Sequence, residues 1–209
     1  MTLDGSDIRM VSTGKGVTTC GFFFPDRSRL LYSSTHLSGP DCLRRPDRSG
    51  GYAWALYPEY EIYSADLHGG NLVRLTYSPG YDTEAAISPD GQRVIFTSLR
   101  GGDLDLYLMD ADGGNVRQVT DVGAASFAVA MHPSDRQIIF SSNLTDPRRR
   151  DFALCLVNVD GTGLELVTHA ATFASFPMFS PDGKRLVFTS NRNAKGPREF
   201  NIFIADWIG

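Results

Sequence analysis

The residues with scope for chemistry in this chain are its acids, arginines and clustered aromatics, and few of them fall into catalytic spacings. There is no Gly-x-Ser-x-Gly elbow, no glycine-rich phosphate loop and no His-Glu-x-x-His. The local signatures of a serine hydrolase, a nucleotide-binding loop and a zinc peptidase are therefore missing. The four histidines, His36, His68, His132 and His169, stand singly. His132 takes the place of a serine in a turn, and His68 precedes Gly69-Gly70. Asp110-Ala111-Asp112-Gly113 has the opening of a calcium loop, but such a loop needs further oxygen ligands and a glutamate at its twelfth position, where Asp121 stands. We expect no catalytic residue, no metal and no cofactor.

Binding chemistry is better supplied. Arg44, Arg45, Arg48, Arg100, Arg148, Arg149, Arg150, Arg192, Lys195 and Arg198 make up half of the 20 basic residues and fall in a few connecting segments. Their planar guanidinium groups suit bidentate recognition of carboxylates. Acids intersperse them (Asp41, Asp47, Glu59, Asp103, Asp146, Asp151, Glu199), so the local excess is mild and solvated loop charge is the alternative. The stretch from Gly50 to Tyr60 carries Tyr52, Trp54, Tyr57 and Tyr60 just after arginines. Tyr, Trp and Arg are the types enriched at interface hot spots, although such a group can instead form a small satellite core. Glu84 is a lone acid at a position where corresponding segments have Cys20, Ala128 and Phe176. It could hold a cation or a ligand amine, or simply face water.

The elements that position these residues follow from internal repetition. Ser88-Pro89-Asp90-Gly91 leads into Arg93-Val94-Ile95-Phe96-Thr97-Ser98, and the pattern recurs from Ser180 to Ser190. Weaker copies run from His132 to Ser142 and from Phe24 to Ser34. The prolines at 25, 89, 133 and 181 are 64, 44 and 48 residues apart, the wide first interval marking an insertion. Each copy is followed by a second apolar run and an Asp-Gly turn, as in Leu106 to Asp110, Asp112-Gly113 and Val119-Thr120. Runs of four to six Val, Ile, Phe and Tyr are strands, and Pro-Asp-Gly and Asp-Gly are tight turns. Four short antiparallel strands per unit, repeating at about 40 to 50 residues, predict an all-β propeller.

The expected architecture is one domain, 1–209, of about four four-stranded blades at 17–76, 77–120, 121–168 and 169–209, with strand 3–12 added to the last. Asp4 to Ser12 matches the outer strand of a repeat, and the chain stops where that strand is due. The ends are complementary, so the N-terminal strand could complete the C-terminal blade and close the ring. Loops between second and third strands share a face with the connections between blades. On that face lie the candidate binding residues Arg44, Arg45, Tyr52, Trp54, Tyr57, Arg100, Arg148, Arg149, Arg150 and Arg192, with Glu84 on an inner strand beside the channel.

The Ser-Pro-Asp-Gly-x-x-Ile/Val-x-Phe-x-Ser units, each followed by Leu/Ile-Tyr-x-Met/Ala-Asp and Asp-Gly-x-x-x-x-x-Leu/Val-Thr, resemble TolB-type WD-like propeller repeats over essentially the whole chain. Relatives of that family commonly have six blades and are usually exported, so this propeller is shortened, and the resemblance implies a periplasmic or extracellular setting. The N-terminus has no signal-peptide layout. The resemblance implies a non-catalytic docking platform for a protein or peptide. It leaves as alternatives the gating propeller of a larger serine peptidase or other hydrolase, and a small-molecule or carbohydrate binder. A net charge of −4 gives no reason to expect nucleic acid, and no apolar run approaches membrane-spanning length. We expect a monomer. Cys20 and Cys42 could pair, while Cys155 reads as core.

Overall fold

The computed structural model describes residues 5–47, 49, 54–146, 151–169, 172–196 and 199–208. They build a four-bladed β-propeller, each blade an antiparallel meander. The first sheet is β1 (Thr18–Phe23), β2 (Arg29–Ser34), β3 (Glu61–Asp66) and β4 (Val73–Arg74). The second is β5 (Asp82–Ile87), β6 (Arg93–Ser98), β7 (Asp105–Asp110) and β8 (Arg117–Gln118). The third is β9 (Ser126–Met131), β10 (Gln137–Ser142), β11 (Ala153–Asn158) and β12 (Glu165–Leu166). The fourth is β13 (Ala174–Phe179), β14 (Arg185–Ser190) and β15 (Asn201–Asp206).

The repeated polar residues close these meanders. The Ser88 hydroxyl donates to Asp90 Oδ1 at 2.5 Å and accepts from the Arg93 amide at 2.9 Å, so one side chain staples both sides of the β5–β6 turn. Ser180 repeats this with Asp182 and Arg185. In the third blade His132 stands in for that serine, its ring paired with the Ser134 hydroxyl at 2.8 Å. The threonine ending each outer strand accepts from the third strand: Thr76, Thr120 and Thr168 take the amides of Ile62, Leu106 and Leu154, each at 2.9 Å. Side-chain bonds of this kind satisfy backbone groups where a ladder runs out.

The core lies between blades. Leu31, Ile62 and Leu75 of the first blade pack on Val94, Phe96 and Met109 of the second. Ile95, Leu106 and Leu108 of the second pack on Ile138, Phe140 and Val157 of the third. Ile139, Leu154 and Leu156 of the third pack on Ala174, Leu186 and Phe188 of the fourth. The second and third sheets thus bury their two faces against different neighbours, the stacking that a lone four-stranded unit requires. Cys155 is buried in this core, and Cys20 and Cys42 are free thiols.

The inner strands adjoin in the order β1, β5, β9, β13, and no comparable adjacency brings β13 back to β1. The closure that the complementary ends suggested is not what the described residues show. The fourth sheet has three strands, and residues 5–12 form no ladder with β15. The N-terminal segment is held instead on its own first blade, where Arg9 Nε donates to the Leu67 carbonyl at 3.3 Å.

Candidate functional site

The inner strands share an irregularity that sets the site. Pairing with the second strand slips between Thr19 and Phe22, between Thr83 and Ala86, and between Ser175 and Met178, with the same break in β9 opposite Ile139 and Ser141. At each bulge one residue turns to the left-handed region: Cys20, Glu84, Ala128 and Phe176, with φ of 55°, 53°, 54° and 54°. A bulge re-aims the side chain it carries, and here it directs Glu84 across the blade boundary. The Ala128 amide donates to Glu84 Oε2 at 2.6 Å, linking the bulge of the second blade to that of the third. Burial pushes the Glu84 carboxyl above its ordinary range, with the Ala128 amide opposing. Cys20 lies against Glu84 from the other side, and burial raises its thiol as well.

Above this pair the first long loop folds inward. The Trp54 indole N–H donates to the Tyr81 hydroxyl at 3.0 Å. Tyr81 is buried at the head of β5, edge-on to Tyr60 with ring centroids 5.8 Å apart, and Tyr60 meets Tyr57 at 6.1 Å. The Tyr57 hydroxyl donates to the Arg44 carbonyl at 2.9 Å, tying the arginine-bearing stretch to the aromatic group. Burial, with the Glu84 charge nearby, moves the Tyr81 hydroxyl far up, and burial takes Tyr60 to about 12. Both phenols stay neutral across physiological pH and act as hydrogen-bonding, apolar walls. Trp54 keeps 50% of its surface exposed. The geometry is an aromatic lip with one accessible indole, set over a buried carboxylate and a half-buried thiol.

The structure therefore brings Trp54, Tyr57 and Glu84 into one neighbourhood and places Arg44 and Arg45 exposed at its margin. Arg100 and Arg192 take a different place. Arg100 Nη2 donates to Asp82 Oδ2 at 2.8 Å, and its guanidinium lies 5.0 Å from the ring centroids of both Phe96 and Tyr107. Burial nonetheless raises the Asp82 carboxyl, Ser98 and Arg100 opposing. Arg192 sits in the equivalent aromatic sandwich of the fourth blade, 5.1 Å from Phe188 and 5.4 Å from Phe203, where Ala174 replaces the aspartate. Tyr52, Arg148, Arg149 and Arg150 lie outside the described residues.

Sequence reasoning missed Tyr81 and Cys20 as members of the site. Tyr81 and Cys20 sit at or beside the inner strands, and only the inward fold of the loop joins them to Trp54. On the tight-turn face two grooves open between the first and second blades. One of about 210 Å³ lies between Pro25, Arg29 and Asp90. The other, about 550 Å³, lies between Arg29, Arg93 and Asp110.

Comparison with known proteins agrees with this fold. The family model described as TolB β-propeller domain matches residues 53–200. A Tol-Pal system protein TolB from Bordetella pertussis is 48% identical over 48 residues, 22% of this chain and 11% of that protein. The crystal structure of TolB from Acinetobacter baumannii superposes with a TM-score of 0.68 at 19% identity, covering 91% of this chain and 41% of that one. A puromycin hydrolase superposes at 0.61 with 15% identity, covering 91% of this chain and 27% of that one. At such identities these two structures are likenesses of fold.

Proposed function

Since the chain belongs to the TolB β-propeller domain family, we propose that it is a non-catalytic docking module of the bacterial cell envelope, taking a protein or peptide on its loop-bearing face. The observation that carries this reading is the aromatic lip: a half-exposed Trp54 fixed by Tyr81, with Tyr57 and exposed Arg44 and Arg45 beside it. A rigid, partly apolar ring with a satisfied polar tip loses little freedom when covered, which is why such residues anchor interfaces. Arg44 and Arg45 add long-range attraction and a bidentate grip for acidic groups on the partner. The buried Glu84 serves the scaffold by joining two blades.

The test is affinity capture from envelope extract with the wild-type chain, a Trp54→Ala chain and an Arg44→Glu/Arg45→Glu chain as parallel baits. The retained protein is then purified and titrated against each bait by indole fluorescence. A central hot-spot aromatic contributes about 2 kcal/mol or more, so Trp54→Ala should weaken binding at least tenfold. Equal retention by all three baits would place the partner elsewhere. A fluorescence response to sugars with no protein retained would replace this reading with a carbohydrate binder.

A further inference from the structure

The boundary between the first and second blades carries a network of two acids and two donors. The Thr76 hydroxyl donates to Glu61 Oε2 at 2.5 Å, accepts the Ile62 amide, and stands within bonding reach of Asp82. Arg100 closes the network, Nη2 donating to Asp82 at 2.8 Å and Nε to the Ser98 hydroxyl at 3.0 Å. Both of these partners come from the arginine's own blade, and the rings it lies over, Phe96 and Tyr107, face the first blade.

The boundary between the third and fourth blades keeps both donors and has neither acid. Strand pairing fixes the equivalences: Asp82 faces Ser98 as Ala174 faces Ser190, and Glu61 faces Ser34 as Ala153 faces Ser142. Thr168 stands for Thr76 and still accepts the Leu154 amide at 2.9 Å, but no carboxylate receives its hydroxyl proton. Arg192 stands for Arg100, yet its side chain makes no hydrogen bond or ion pair among the described residues, and its Nε is shut off from water. A buried donor left without an acceptor carries the full cost of its desolvation. Glu199, in the adjoining loop, is taken up by the Lys195 amide and the Asn201 side chain. Ala174 and Phe188 share a cluster with Leu154 and Leu156, so these donors lie at a boundary internal to the chain. At the boundary between the second and third blades Asp105 still receives the Thr120 hydroxyl, and Leu144 stands where the arginine would be.

We propose that Arg192 and Thr168 form a receptor for the carboxylate of a peptide, either an acidic side chain or a free C-terminus, entering from the loop-bearing face. The chain's own Asp82 shows the pose, since the ligand carboxylate takes the place that Asp82 fills beside Arg100 and Thr76. Alanine at 153 and 174 removes the internal acids and leaves the donors aimed at the position those acids held. Stacking over Phe188 and Phe203 keeps the guanidinium fork in one plane, so little freedom is lost when a carboxylate binds it. A fork of this kind takes a carboxylate by two parallel charge-assisted bonds, and the Thr168 hydroxyl adds a third. Thr168 is half-buried where Thr76 is 2% exposed, so the receptor is open to solvent. It lies two blade boundaries away from the aromatic lip and works whether or not that lip binds a partner.

The test follows the arginine Nε–H and backbone amide resonances of the full chain by NMR during titration with three tripeptides. One carries a glutamate with both ends blocked, one a glutamine with a free carboxyl end, and one the glutamine with both ends blocked. At least one carboxylate peptide should move the Arg192 Nε–H signal and the amides of Thr168 and Ala174, and which of the two does so identifies the source of the carboxylate. The neutral peptide should move none of them. Arg192→Lys keeps the charge without the fork and should weaken binding about tenfold. Ala174→Asp supplies the missing acid from within, so it should move the Arg192 signal before any peptide is added and abolish the response. Trp54→Ala should leave this binding unchanged, which separates it from docking at the lip. No response to either carboxylate peptide at about 10 mM, well above a millimolar Kd, would overturn the proposal. So would an equal response to the neutral peptide, undiminished binding by Arg192→Lys or by a folded Ala174→Asp chain, or loss of binding in Trp54→Ala.

Discussion

Glu84 shows how much a single side chain depends on its setting. Its three equivalents share its backbone conformation, yet it alone is a carboxylic acid, and it sits where water is excluded. One amide from Ala128 does not replace the hydration lost, so burial raises the carboxyl. The sign for stability follows from that direction. An acid whose folded-state affinity for protons exceeds its unfolded one contributes nothing unfavourable below the unfolded value, 4.5; stability is lost as pH rises from there towards the folded value, and the loss is complete above it. Glu84→Gln keeps an acceptor for the Ala128 amide and removes the charge. It should therefore raise stability at pH 8 and leave it unchanged at pH 4. Urea unfolding of both proteins at the two pH values checks this, and an equal effect at both would remove ionisation as the cause. The sequence does single out Glu84 as the odd member of its column. That its partner would be the next blade's backbone was not legible, because the hydrogen bond exists only through the left-handed turn at Glu84.

That turn is a property of the element. The tight turns at either end of each strand were readable, since Pro-Asp-Gly and Asp-Gly state their dihedrals in their residue types. The inner-strand bulges were not, because Cys20, Glu84, Ala128 and Phe176 have no shared chemistry and none is glycine. What imposes φ near 54° on them is the register slip against β2, β6, β10 and β14. A non-glycine residue there costs roughly 1 to 2 kcal/mol, while glycine visits the region freely. Ala128→Gly should accordingly leave stability within about 0.5 kcal/mol of wild type or raise it, despite the general penalty for glycine in a strand. Ala130→Gly, two residues along β9 and without a positive φ, should lose about 1 kcal/mol. Thermal unfolding of the pair decides it: equal losses would mean that the bulge is not strained. The inward loop was half legible in the same sense. Its aromatics announced themselves, but whether they formed a surface or a small core depended on Tyr81, and the structure makes them both, Tyr60 buried and Trp54 half-exposed.

At the scale of the whole molecule the blades are equivalent in sequence and unequal in setting. The second and third blades are covered on both faces, by the clusters around Val94 and Phe96, around Ile95 and Phe140, and around Leu154 and Phe188. The fourth is covered on one face, and its last strand lies open from Asn201 to Asp206 apart from Phe203. In a repeat array stability is the sum of each unit's own contribution and of its neighbour interfaces, so a blade with one neighbour opens more easily than one with two. Hydrogen exchange reads this directly. At low protein concentration the amides of β14 and β15 should exchange well before those of β6, β7, β10 and β11, although the strands have the same length and closely similar turns. A uniform profile at low concentration would show that the four blades unfold as one cooperative unit and that the missing neighbour carries no energetic weight.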